Sequence, residues 1–195
     1  MPSVITGGAR RAAGVTVRRA TAKDAKRLTG LVRKSSAYQG QYAAMVAGYT
    51  VGPDYIESHR VFLAVEGAGA DGAGVDGTGG GPGPGGTGAV LGFYALVVEP
   101  PELDLMFVSD AAQGLGIGRL LVRHMTAEAR AAGLESVRVV SHPPAEGFYR
   151  SVGARPVGVI PANPPAVLWD RPELVFPIGP VVASDATDPT SSPEG

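Results

Sequence analysis

Residues 103–118 read LDLMFVSDAAQGLGIG, and the reading of that stretch decides the fold. Leu103 to Ser109 is short and mostly apolar, as a buried strand is. Gln113 to Gly118 then opens an amphipathic helix, RLLVRHMTAEARAAG, that stops at Gly133. A strand that feeds a glycine-rich turn into a helix start builds an anion site. The first N–H groups of a helix lack an intrahelical partner, and the macrodipole leaves that end partly positive. Gly116 and Gly118 carry no side chain, so a pyrophosphate could come close to their backbone.

The spacing is Gln113-x-x-Gly116-x-Gly118. It is not a P-loop, because no Lys-Ser/Thr pair follows. It also misses the dinucleotide fingerprint: Gly114-x-Gly116 is followed by Arg119 where a third glycine belongs. Nucleotide binding through QGLGIG alone is therefore a weak alternative.

Working outward, a strand, the run Val-x-x-x-x-Gln-x-x-Gly-x-Gly, a helix, a further strand and then AEGFYRSVGA follow one another. This order resembles the GNAT superfamily of acyl-CoA N-acyltransferases. The resemblance spans residues 15–177 and is sharpest over 103–153. Two positions depart from the family pattern. Asp110 stands where a proline often precedes the turn, and Pro144 stands where an asparagine often precedes the next helix.

Composition narrows the alternatives. With 17 Lys+Arg against 18 Asp+Glu, the net charge of −1 argues against nucleic-acid or membrane-surface binding. With no cysteine, disulfides, thiolate catalysis and cysteine-bound metal are excluded. No His/Asp/Glu cluster has metal-ligand spacing, and no nucleophile elbow is present. The expected location is cytoplasmic, since no apolar run approaches a membrane span and the N-terminus has no signal-peptide core.

The remaining elements fall on either side of the central stretch. Residues 1–14 read as a flexible leader, 15–178 as one domain, and 179–195 as a disordered tail. Strands are expected at 15–19, 60–66, 89–99, 102–109, 135–141, 154–160 and 173–178. Thr21 caps a helix, with Asp24 three residues on as an approximate capping box. Tyr42, Met45, Val46 and Tyr49 suggest a second short helix that Pro53 ends, with room for one more turn over residues 54–59. Tyr38, Tyr42, Tyr49 and Tyr55 lie in this region, either as packing aromatics or as a wall of an acceptor pocket. Residues 67–88 are glycine-dominated and lack apolar anchors, so they read as a disordered loop between two strands. The sum is an α/β fold with a mixed sheet flanked by helices. The resemblance implies six to seven strands, splayed between the fourth and the fifth.

The resemblance also implies a chemistry and a set of residues. Acetyl-CoA, the cosubstrate, would lie on Gln113, Gly114, Leu115, Gly116, Ile117, Gly118 and Arg119, its pyrophosphate on backbone N–H groups. Arg119 could instead be a solvated helix residue. Pantetheine would run along Met106, Phe107 and Val108, whose main-chain N–H groups could polarise the thioester carbonyl. Tyr149 matches the family's tyrosine, which commonly protonates the leaving thiolate; a phenol suits a thiol of similar basicity. For the general base, Glu102, Asp104 and His142 stay open. The expected activity is N-acetylation of a primary amine by direct attack in a ternary complex. A small-molecule acceptor is favoured over a protein amine, without metal, and a homodimer is left open. The alternative of another class is a noncatalytic acyl-CoA-binding or regulatory domain.

Overall fold

A computed structural model describes residues 14–67 and 88–179. The expected leader, glycine-rich loop and tail fall almost wholly on residues 1–13, 68–87 and 180–195, outside the described residues.

Seven strands form one sheet: β1 (Val15–Arg19), β2 (Arg60–Glu66), β3 (Val90–Val97), β4 (Glu102–Val108), β5 (Ser136–Val140), β6 (Arg155–Ile160) and β7 (Arg171–Pro177). Their order is β1-β2-β3-β4-β5-β7-β6, which puts β4 in the middle. All neighbours are antiparallel except β4 and β5. These two are parallel and meet at a single register pair, Glu102 with Arg138. One backbone bond, from Arg138 N–H to Pro101 O at 3.1 Å, adds to it. Beyond that point the strands part, so the mixed sheet is splayed as expected.

Among the described residues, five helices cover the two faces: α1 (Ala25–Lys34), α2 (Ala43–Val46), α3 (Pro53–Ser58), α4 (Ile117–Ala131) and α5 (Glu146–Ser151). On one face α4 and α5 bury Ile117, Leu121, Met125 and Tyr149 against Leu103, Val137, Val139 and Leu174. On the other, Leu28 and Val32 of α1 and Ile56 of α3 pack on Leu63, Phe93 and Phe107. Leu28 and Val32 are spaced one turn apart, as a one-sided helix requires, and burial of each side chain contributes roughly 1.5–3 kcal/mol. Gly92 lets α4 lie close over β3. A Cβ there would meet Phe107 O at 2.7 Å and Leu121 Cδ1 at 3.1 Å.

Asp24 anchors the start of the first helical segment. Its carboxylate is buried, accepts the Thr21 N–H at 3.0 Å, and takes both arms of the Arg18 guanidinium at 2.8 and 2.9 Å. The Arg18 hydrogen bond overcomes burial and lowers the Asp24 pKa to about 2.

Two expectations need correction. The tyrosine segment is not one helix: tight turns at Ser36–Tyr38 and Gly40–Tyr42 precede a four-residue α2. Gly40 and Gly48, both with positive φ, interrupt regular helix at either end. Pro53 does not end a helix but begins α3, which is the further turn expected over residues 54–59; its missing N–H and fixed φ suit the first turn. Among the described residues, no helix is long and apolar enough to cross a membrane.

Candidate active site

The parting of β4 from β5 opens a cavity of about 700 Å³. On its β4 side the backbone is exposed toward the gap. The Ser109 N–H is donated to Leu91 O on β3 at 2.8 Å. Because N–H directions alternate along a strand, those of Val108 and Met106 point the other way, into the opening. The pairing of β4 with β3 also slips: Ala95 faces Leu105 and Leu96 faces Leu103, leaving Asp104 as the extra residue of a bulge. Bulges re-aim side chains, and this one sits on the cavity wall.

The glycine turn closes one end. Gly114 and Gly116 adopt φ of +76° and +82°, a region that side chains disfavour. Gly116 is the N-cap of α4, and its carbonyl takes the first helical bond, from the Leu120 N–H. The N–H groups of Ile117, Gly118 and Arg119 precede that bond and are helix-start donors without an intrahelical acceptor. Gln113, Gly114, Gly116, Ile117, Gly118 and Arg119 all line the cavity. Leu115 does not: its side chain is 41% exposed, and its N–H is donated to Ala112 O at 3.3 Å. Arg119 is exposed and has no ion-pair partner among the described residues. Asp110 ties the turn to the end of α1. Its carboxylate accepts from the Ser36 hydroxyl at 2.8 Å and from the Gln113 amide at 3.1 Å.

The β5 side carries the titratable groups. Tyr149, on α5, is nearly fully buried but lines the cavity. Burial, and then the nearness of Tyr38, push its phenol pKa upward. The group therefore holds its proton at neutral pH. His142 follows β5 and is 7% exposed. Tyr38 stacks on its ring at 4.6 Å, and Tyr42 meets it edge-on at 4.2 Å. Its Nε2 is buried without a hydrogen-bond partner. Burial lowers its pKa, which favours the neutral imidazole.

Glu102 and Asp104 both reach the cavity, but in different states. Glu102 accepts from Arg138 at 2.9 Å, and the same guanidinium binds Glu173 at 2.5 Å. Asp104 accepts the Tyr55 hydroxyl and has no ion pair among the described residues. The tyrosine segment thus both packs and walls the cavity: Tyr38 and Tyr49 line it, while Tyr55 holds Asp104. Arg138, Arg171 and Trp169 also belong to this neighbourhood and were not foreseen. Trp169 meets Tyr42 edge-on at 4.5 Å, and Arg171 lines the cavity from β7. No group of three or more His, Cys, Asp or Glu able to hold a metal occurs among the described residues.

The family model described as the acetyltransferase (GNAT) domain matches residues 57–153 of this chain. No curated protein matches the sequence. Several solved structures share the fold. A GCN5-related N-acetyltransferase from Rhodopseudomonas palustris is 14% identical, with 83% of this chain and 94% of that one covered and a TM-score of 0.61. The yncA protein of Salmonella typhimurium, solved with its cofactor acetyl-CoA, is 19% identical over 88% of this chain and 98% of its own, at a TM-score of 0.58. A phosphinothricin acetyltransferase from Sinorhizobium meliloti, in complex with acetyl-CoA, is 19% identical over 91% and 94%, at 0.57.

Proposed function

Because the chain belongs to the GNAT acetyltransferase family, we propose that it transfers the acetyl group of acetyl-CoA to a primary amine of a small molecule, by direct attack in a ternary complex. One observation carries this reading. The strand-free edge of β4, the glycine turn, Tyr149 and His142 share a single cavity at the parallel β4–β5 junction. The residues fit the group: a run of helix-start N–H groups behind two positive-φ glycines suits a pyrophosphate, and an exposed backbone edge suits an amide-bearing arm.

Acetyl-CoA supplies the activated thioester. The Met106 to Val108 edge holds its arm and offers N–H donors to the carbonyl as negative charge develops there. Neutral His142 accepts a proton from the amine, directly or through water. Tyr149 gives its proton to the departing sulfur. The carbonyl carbon gains a C–N bond and loses its C–S bond, leaving amide and thiol. Burial raises the Tyr149 pKa, but the same dry surroundings raise the basicity of a thiolate, so the transfer stays matched. Glu102 is held by Arg138 and is the weaker candidate base; Asp104 attracts a cationic acceptor. A cytoplasmic site of action belongs to the same proposal.

The test is a panel of small amines and of peptides with free amines, each incubated with acetyl-CoA and read by thiol release. Turnover of small amines is expected. Turnover of peptides alone would move the acceptor to proteins. Acetyl-CoA binding without turnover of any acceptor would support the regulatory alternative.

A further inference from the structure

The sheet face under α1–α3 carries two rows of charge across the split. In the first, Glu102, Arg138 and Glu173 are linked by ion pairs of 2.9 and 2.5 Å. Side chains alternate along a strand, so Arg171, two residues from Glu173 on β7, points to this same face. Asp104 is on that face too, since it takes the hydroxyl of Tyr55 from α3. Asp104 and Arg171 form the second row, on β4 and β7, with the end of β5 and His142 between them. Both line the cavity. Here no residue bridges the charges. Among the described residues neither has an ion-pair partner, and Arg171 Nε is buried without any hydrogen-bond acceptor.

A guanidinium that lines a cavity with no carboxylate paired to it is matched best by a planar carboxylate. A carboxylate on one side of a gap and a cation on the other suit a ligand that carries the opposite pair. We propose that the acceptor is an amino acid with a free carboxylate, its carboxylate bound by Arg171 and its ammonium drawn toward Asp104 beside His142. This rests on the acetyl-transfer reading above. The nitrogen forms its bond to the acetyl carbon as the C–S bond breaks. Of the two protons the ammonium loses, one ends on the thiol sulfur and one in solvent.

The experiment compares free amino acids with the amines and the carboxamides derived from them, as acceptors with acetyl-CoA, in the wild type and in Arg171→Gln and Arg171→Lys. The free amino acids should be the better substrates. Arg171→Gln should raise their KM by roughly 10- to 100-fold, the scale of one charge-assisted contact. Arg171→Lys should recover part of the loss, and the acetyl-CoA Kd should stay put in both. The derivatives without a carboxylate should be indifferent to Arg171. Equal or better turnover of those derivatives by the wild type would overturn the proposal while leaving acetyl transfer intact. So would an equal KM rise for both series in Arg171→Gln. No turnover of either series would overturn acetyl transfer to small amines, and this inference with it.

Discussion

Phe148 occupies the space that a side chain on Gly118 would need: a Cβ there would lie 2.9 Å from the Cζ of the ring. Gly118, the last glycine of the 113–118 run, is thus required by the protein's own packing, whatever ligand the turn holds. It seats α5, and with α5 the neighbouring Tyr149, against the first turn of α4.

Gly118→Ala should therefore cost stability as well as activity. The tip of the Phe148 ring, packed beside Tyr149, has to shift to admit the methyl, so overpacking of about 1–3 kcal/mol is expected. Thermal unfolding would show it as a lowered Tm. Phe148→Leu in the same chain should restore part of the loss; additive losses in the double variant would contradict the contact.

Gly116→Val acts differently. Nothing in the protein lies within 4 Å of a Cβ at Gly116, but φ is +82°. A β-branched residue there strains the backbone by about 1–2 kcal/mol, and it covers the N–H groups of the turn. Calorimetry on the folded variant should show acetyl-CoA affinity reduced at least tenfold. Unchanged affinity would take the glycine turn out of the binding site.

Tyr149→Phe removes the hydroxyl and keeps the buried ring. If the phenol protonates the thiolate, kcat falls by roughly 10²-fold or more. The acetyl-CoA Kd should barely move, because the proton is passed in the transition state. Near-normal kcat would leave Tyr149 as a packing residue.

With His142 as the proposed base, its burial fixes the expected pH dependence. Burial moves its pKa below 6.5, so the neutral, proton-accepting form prevails at pH 7 and is lost only on acidification through that lowered pKa. The kcat/KM profile should be flat near neutrality and fall on the acid side below pH 6.5, and His142→Ala should remove both the limb and most of the rate. An unaltered profile in His142→Ala would assign the base to Glu102 or Asp104.

Asp24 governs acid stability. Its pKa is lowered from 3.8 to about 2, first by the Arg18 hydrogen bond. A depressed carboxylate contributes stability above its unfolded pKa and loses it as the pH falls toward the folded value. The shift corresponds to about 2 kcal/mol, gone between roughly pH 4 and 2. Asp24→Asn should lower stability at pH 7 and flatten that part of the acid-unfolding curve.

All seven strands were legible in the sequence, because each alternates or runs apolar between breakers such as Pro100-Pro101 and Gly133. So was the Thr21–Asp24 start, whose signal is local. What was not legible depends on elements that meet only in space. Arg171 reaches the cavity, and Trp169 the Tyr42 ring beside it, because β7 inserts between β5 and β6, a choice of order that no local pattern encodes. The Asp104 bulge arises from register with β3 and leaves no mark in β4 itself. The tyrosine segment carried a helical spacing, yet two positive-φ glycines broke it into turns. His142, one of three open candidates for the base, gains its distinct environment only when Tyr38 and Tyr42 close around it.

The split sheet has a consequence for leverage. β4 and β5 are pinned at Glu102 and Arg138, and from there to Phe107 is five residues, about 17 Å of strand. With one fulcrum, a rotation of about 3° at the pinned end swings the far end by about 1 Å over that length. The Glu102–Arg138–Glu173 ion pairs sit at that fulcrum. The three side chains at that junction thus set the gauge of the jaw, and changes among them would alter the fit of whatever the cavity holds.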